Sequence, residues 1–467
     1  MPAALRPGCD PGRDRGDPGR DRGDPGRDRG VPGRDRGVPG RDRGHSGRDR
    51  GHSASAGGAA PAGFSGHDPA GAAPPPVLLA CAAMATRFEL VLHGDDRPRL
   101  RAAGEEALGV IRRLETQLSC YRATSDVSRI NALAADAPVP VEPGLFALLL
   151  RARQLHCLTD GAFDITIGPL MHCWGLAGHG GGRVPDALTL ERARARTGMP
   201  LLDLDERRRT IRFARPGMAI DLGAIGKGYA LAQAALTLRE LGIRSALLHG
   251  GTSSVTTIGA PPDAPAWQVA LEYPGDAARE RERRACGDNA CGMQPEPHRA
   301  GGAHGDPPPA ADRVLAIVPL VDRSLSVSAM WGKGFHAGDV CYGHVLDPRL
   351  ARPVQGALLA AVVCDDATAA DALSTALLVL GPDHHQPVTA GDPSLAALVL
   401  GAPDASGAPY RVWRRGLAVR PRARAPGTRA PTARAARVAW RADVALGHPR
   451  AARAGVLPDE PAGMERA

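Results

Sequence analysis

From Asp10 to Gly51 a seven-residue unit repeats, Asp-Pro-Gly-Arg-Asp-Arg-Gly with later copies opening Val-Pro or His-Ser, and it gives a fold almost nothing to bury. Its charges alternate and every copy carries glycine, so the entropy lost on ordering has no apolar burial to offset it. The segment therefore predicts disorder, and a solenoid is excluded because its repeats must stack apolar faces. Residues 275–312 are similarly poor in core-forming residues and interrupt two strand-like runs, Trp267 to Tyr273 and Val314 to Val321. Beyond Leu417 the chain is rich in Arg, Ala and Pro. Of 467 residues, folding capacity is thus confined to 77–412, with 1–76 a low-complexity region, 275–312 an insertion and 413–467 a tail.

Inside the folding region the most informative stretch is Asp221-Leu-Gly-Ala-Ile-Gly-Lys-Gly-Tyr229. Met218-Ala-Ile220 reads as the end of a strand, and Tyr229 to Leu241 carries apolar residues at helical spacing, so Gly223, Gly226 and Gly228 fall at a helix entry. Amides and the positive dipole end at such an entry suit an anionic, phosphate-bearing ligand. Lys227 would add a point charge and Asp221 an acceptor for a sugar or base. The segment fits neither the dinucleotide fingerprint nor the Walker pattern, and plain close packing is an equal reading of its glycines.

A second stretch, Asp365 to Gly381, is helical in its apolar spacing and sets Asp371 and Thr375 four residues apart on one face. Two oxygens so placed suit a hard cation. A solvated Asp beside a Thr that bonds back to its own helix is the alternative. A third, Tyr342-Gly-His-Val-Leu-Asp-Pro-Arg349, reads as a short strand entering a turn at Asp347-Pro348. His344 just before that turn suits a general base, although a lone strand histidine is more often structural. Upstream, Met84 to Leu92 alternates as one strand, and Asp160 to Leu170 leads from a helix into a loop broken by glycine and proline.

In this order the segments resemble the ApbE family of flavin transferases, over roughly Val77 to Val412. The resemblance rests on Met84-Ala-Thr-Arg-Phe88, Leu118-Ser-Cys-Tyr-Arg122, Ser128-Arg-Ile-Asn131, Gly161-Ala-Phe-Asp-Ile-Thr-Ile-Gly-Pro-Leu170, the Asp221 segment, the Gly250-Gly251 pair, His344 to Arg349 and Ala370-Asp-Ala-Leu-Ser-Thr-Ala376. It implies an α+β fold of antiparallel sheets and packed helices with a flavin cleft between two subdomains. It further implies transfer of FMN from FAD to a threonine hydroxyl of an acceptor protein, with release of AMP and help from Mg2+. Met84, Tyr121, Ala162, Phe163, Asp164, Asp221, Lys227 and Val345 match positions that contact FAD. Asp371, Thr375 and the Ala224 carbonyl match the metal ligands, with Asp371 also counted as catalytic. His344 matches the base. The acceptor implied is another chain, such as a subunit of a redox-driven pump. A FAD-binding or storage protein, or a FAD pyrophosphatase, would share most of these residues.

Three positions depart from the family pattern. Ala85 replaces a glycine and is expected to leave its strand intact. Thr252 stands where an aspartate usually follows Gly250-Gly251. Ala329 replaces another glycine, at a cost of about 1 kcal/mol if that position requires a positive φ.

Nine cysteines scattered through the chain do not resemble a disulfide framework, which points to a reducing compartment. Cys286, Cys291, His298 and His304 in the insertion fit no standard zinc spacing. Leu78-Leu-Ala-Cys81 superficially resembles a lipid-attachment box, yet it lacks the basic start and apolar run of a signal peptide. The reading is cytoplasmic and without a membrane span, with export or membrane association, as in many family members, as the alternative. No acid lies between Arg411 and Arg441, and the net charge is +8. A solvated tail accounts for that, and no nucleic-acid partner is expected.

Overall fold

In the computed structural model the described residues are 74–178, 181–272, 314–330, 334–338, 340–390, 392–401, 410–418 and 464–466. They belong to one unit, Ala73–Ala467. The heptad region, the insertion and its Cys and His residues, and most of the tail lie outside them.

The chain opens with strands β1 (Val77–Ala83) and β2 (Thr86–Leu92), then helices α1 (Arg97–Leu118) and α2 (Asp126–Leu133). A short strand β3 (Val139–Pro140) leads to α3 (Pro143–Leu158), α4 (Gly168–Cys173), α5 (Ala187–Arg194) and the hairpin β4 (Leu202–Asp205) and β5 (Thr210–Phe213). Helix α6 (Gly226–Glu240) precedes β6 (Ala246–Gly250), β7 (Ser254–Ile258), β8 (Trp267–Glu272), β9 (Val314–Leu320) and β10 (Ser324–Ala329). Four short strands follow, β11 (Gly334–Ala337), β12 (Val340–Gly343), β13 (Leu346–Asp347) and β14 (Arg352–Pro353). The last elements are β15 (Ala357–Cys364), α7 (Ala367–Leu380), α8 (Gln386–Thr389), β16 (Ala396–Gly401), β17 (Arg411–Arg415) and β18 (Met464–Arg466).

An antiparallel nine-stranded sheet in the order β1-β2-β6-β7-β10-β15-β16-β17-β18 forms the centre. The sequence explains who lies where. Ala-Leu-Leu-Ala-Ala-Val-Val-Cys in β15 is apolar throughout and buried at every position, as a strand covered on both faces must be. Edge strand β1 alternates buried and exposed residues instead, and Leu78 and Ala80 face out. Helices α1, α6 and α7 pack against one face of the sheet. On the other face the β8–β9 hairpin seals Leu325, Val327, Leu359 and Leu398 with Trp267, Val269, Leu271 and Val318. That hairpin brings together the two strands expected on either side of the insertion. Within the described residues, no helix is long and apolar enough to cross a membrane.

Several local expectations change. The first strand does not begin at Met84. Ala83 pairs with Thr86, so Met84 and Ala85 are the two central residues of a tight hairpin, at φ 50° and 56°. A turn with positive φ at both central residues is the one whose twist matches the flanking strands, and it favours glycine at the second. Ala85 is therefore held in a left-handed conformation. Ala329, by contrast, is an extended residue paired with Leu359, so its replacement of glycine carries no backbone strain.

Met218 to Ile220 is not a strand. Its backbone finds partners elsewhere: the Asn131 side chain accepts from the Ile220 amide at 2.8 Å and donates to the Ile220 carbonyl at 3.0 Å, and the Asp221 amide donates to Ile165 O at 2.7 Å. One side-chain amide thus stands in for a neighbouring strand. Gly168-Pro169 starts α4 rather than breaking the chain, because proline fits the first turn of a helix. His344 lies in a bend between β12 and β13, not within a strand.

Replacing Ala85 with glycine should raise stability by about 1 kcal/mol, since it removes the left-handed penalty of an alanine. Urea unfolding of Ala85→Gly measures this, and a lower midpoint would contradict the turn.

Candidate active site

The site is built where α6 crosses α7. Gly228 lies so close to α7 that a Cβ there would sit 2.2 Å from the Ala367 carbonyl oxygen and 2.7 Å from the Asp371 Cβ. Close packing is thus what requires this glycine. Its amide donates to Asp371 Oδ2 at 2.9 Å, a bond that links residues 143 apart in sequence. As an amide of the first turn of α6, it has no acceptor within the helix. The helical ladder begins with the Tyr229 amide on the N-cap Ile225 O at 3.0 Å, and the Ala224 carbonyl precedes it.

The expected cradle of free glycine amides is accordingly altered. Gly223 N donates to Asp221 Oδ1 at 2.7 Å and Gly226 N to Leu222 O at 2.7 Å. With Gly228 on Asp371, all three glycine amides are engaged within the chain. Lys227 remains directed at the crossing, its Nζ 3.8 Å from Asp371 Oδ1 and 3.4 Å from the Gly223 carbonyl.

Asp371 is only 3% exposed, so it is not the solvated residue of the simpler reading. A buried carboxylate needs donors, and β7 and β10 supply them. Ser326 Oγ donates to Oδ1 at 3.2 Å and Ser254 Oγ at 3.4 Å. Thr375 Oγ1 lies 3.0 Å from Ser328 Oγ and 3.4 Å from the Asp371 carbonyl. The alternation Ser324-Leu-Ser-Val-Ser328 puts hydroxyls on the helix side of β10 and Leu325 and Val327 on the other. These serines were not among the expected site residues. The exposed Thr252 lies in the turn just before them, and Ser254, two positions on, reaches the carboxylate.

Met84, Ala224, Tyr229, Met330 and Val345 are all partly buried against the same core cluster, and three of them are expected flavin or metal positions. Gly343 lets the His344 bend approach the end of β10, because a Cβ at 343 would meet the Met330 carbonyl at 2.8 Å. Tyr121 is 64% exposed, with Gly178 against its ring. Ala162 and Phe163 are core residues, 1% and 2% exposed. Asp164 is buried as well: its Oδ1 accepts from Thr166 N and Oγ1 at 2.7 and 2.6 Å, and its Oδ2 from Met199 N at 3.1 Å. That carboxylate holds the loop in shape. Beside Asp221, burial and then the nearby carboxylate push the Cys120 thiol up to about 12.

Hard oxygen donors occur here: one buried carboxylate, a hydroxyl one turn further along α7 and, just before α6, the Ala224 carbonyl. This donor set fits a divalent cation of the magnesium type, although no group of three or more His, Cys, Asp or Glu side chains with metal-binding geometry occurs among the described residues. The fit therefore depends on the hydroxyl and the main chain.

The family model described as ApbE family matches residues 84–399, and the chain belongs to that family. A relative from Rhodobacter capsulatus, named FAD:protein FMN transferase, is 28% identical over 310 residues, which cover 65% of this chain and 51% of the relative. The chain thus spans about half the length of that relative. One from Klebsiella pneumoniae (strain 342) with the same name is 26% identical over 328 residues, covering 69% of this chain and 84% of the relative. Among solved structures, the apo form of the Pseudomonas stutzeri flavinyl transferase ApbE superposes with a TM-score of 0.57 at 27% identity, over 70% of this chain and 92% of that one.

Two outcomes follow from this geometry. Gly228→Ala forces α6 away from α7 and should destabilise the fold by about 2 kcal/mol, read by thermal or urea unfolding. Wild-type stability would refute the close crossing. Cys120 should stay protonated through neutral pH, so iodoacetamide at pH 8 should label it at least ~100-fold more slowly than a free thiol, with the rate still climbing as pH rises. Peptide mapping by mass spectrometry measures this, and labelling at the free-thiol rate would show that the thiol is not shielded beside Asp221.

Proposed function

We infer that this chain is a FAD:protein FMN transferase, which moves FMN from FAD to a threonine hydroxyl of an acceptor protein and releases AMP. Family membership and the names of its relatives support the class of reaction. The observation that carries the reading to particular residues is the buried Asp371 carboxylate, held by the Gly228 amide beside Lys227 and with Thr375 on the same helical face.

In the proposed reaction the acceptor oxygen forms a bond to the phosphorus of the FMN half, and the bond from that phosphorus to the oxygen bridging to AMP breaks. Such a transfer needs positioning and charge neutralisation more than covalent help. Mg2+ would be held by Asp371, Thr375 and the Ala224 carbonyl, and when bound it supplies Lewis-acid neutralisation of the pyrophosphate oxygens. Lys227 adds a positive charge on the same side. His344 takes the proton of the incoming hydroxyl, which is a poor nucleophile while it keeps that proton. Asp221, Tyr121, Met84 and Val345 are the proposed side-chain contacts to FAD. The core residues Ala162 and Phe163, with Asp164, act by fixing the loop against it.

Two other outcomes of the same assay define the competing readings. The protein is incubated with FAD, Mg2+ and a threonine-bearing flavinylation domain, and both AMP and the covalent FMN mass increment are measured. AMP without the increment would make it a pyrophosphatase, and binding without AMP a FAD-binding protein. Asp371→Asn should lower the increment at least ~100-fold, and His344→Asn should lower transfer while FAD binding persists. Full transfer by Asp371→Asn would overturn the assignment.

A further inference from the structure

Three hydroxyls and one carbonyl form an unbroken hydrogen-bonded path beside the proposed metal ligands. Thr375 Oγ1 lies 3.0 Å from Ser328 Oγ, Ser328 Oγ lies 2.8 Å from Ser374 Oγ, and Ser374 Oγ donates to the Asp371 carbonyl at 2.9 Å. Each hydroxyl has one proton, and the carbonyl at the end can only accept. Thr375 Oγ1 lies farther, 3.4 Å, from the Asp371 carbonyl, and Ser374 Oγ lies 3.4 Å from Ser326 Oγ; along the shorter contacts the path has one direction that satisfies every member. Ser374 gives its proton to the Asp371 carbonyl, Ser328 gives its own to Ser374, and Thr375 gives its own to Ser328.

We propose that Ser328 and Ser374 are positioning residues that commit the Thr375 proton to strand β10, leaving the Thr375 oxygen with lone pairs only for a divalent cation. This rests on the reading of Asp371 and Thr375 as cation ligands. A threonine hydroxyl free to rotate would spend part of its time pointing its proton at the cation, which weakens it as a ligand. The path removes that freedom. Its far end is anchored on the main chain of the residue whose carboxylate is the other side-chain ligand, so both ligands are oriented by one short segment of α7. A second pair of hydroxyls acts on that carboxylate: Ser326 and Ser254 both donate to Oδ1, and their oxygens lie 3.3 Å apart. Partners that orient metal ligands typically govern about 10–100-fold in affinity.

The test is Mn2+ binding to the full chain, followed by electron paramagnetic resonance of the free ion, with no FAD or acceptor present. Ser328→Ala should bind Mn2+ at least about 10-fold more weakly than the native protein, and Ser328→Thr, which restores the hydroxyl, should come back to within about 2-fold. Asp371→Asn should abolish binding. Native affinity in Ser328→Ala, with binding lost in Asp371→Asn, would overturn the path and leave the metal site standing. Equal weakening in Ser328→Ala and Ser328→Thr would also overturn it, since packing rather than the hydroxyl would then be at work. Native affinity in Asp371→Asn, or no Mn2+ binding by the native protein, would instead overturn the metal reading itself.

Discussion

The hydrogen bond from the Gly228 amide to the Asp371 carboxylate is the contact on which the rest of the site depends. It is a charge-assisted bond in a buried setting, the kind that contributes about 1.5–3 kcal/mol, and leaving such a carboxylate without donors costs more than the bond supplies. Three consequences follow from it together. It locks the crossing of α6 and α7, which requires glycine at 228. It satisfies an amide of the first turn of α6, which has no partner within its own helix. It also fixes one carboxylate oxygen, so that the other is left to Ser326, Ser254 and Lys227.

Much of this was legible before any coordinates. The helix entry at Gly226 and the shared face of Asp371 and Thr375 follow from apolar spacing and the 3.6-residue period. The purpose of the glycines was not legible, because close packing and anion binding select the same residue, and only the position of α7 decides between them. The turn at Met84-Ala85 is not legible in the sequence because neither residue carries a turn signal, and the strand alternation runs on through them. Met218 to Ile220 looked like a strand because a segment hydrogen-bonded by the Asn131 amide needs the same extended residues as a strand does.

The serines around Asp371 present a different case. Ser324-Leu-Ser-Val-Ser328 displays a strict period of two, which by itself predicts one polar face on a strand. Such a face ordinarily meets solvent. Here it meets a helix, because β10 is an interior strand and α7 covers it. The signal was present, and what the sequence did not reveal was that the polar face is the inner one. Ser324 shows the same habit at the other end of the strand, where its hydroxyl pairs with Thr256 on β7 at 2.8 Å.

A metal position with a single side-chain carboxylate is matched to a substrate that brings its own charge. Two or three carboxylates would hold a cation tightly without substrate, and in this buried crossing they would also repel one another and the pyrophosphate of FAD. Here the Asp371 charge faces Lys227 at 3.8 Å, so that pair is close to neutral. The remaining donors are hydroxyls and a carbonyl, which offer lone pairs without adding charge. On the proposed reading, the missing negative charge is that of the substrate phosphates, so cation and FAD each favour the binding of the other. The hydroxyl path from Thr375 to the Asp371 carbonyl makes this economy workable, because a neutral oxygen ligates well only when its proton is held elsewhere.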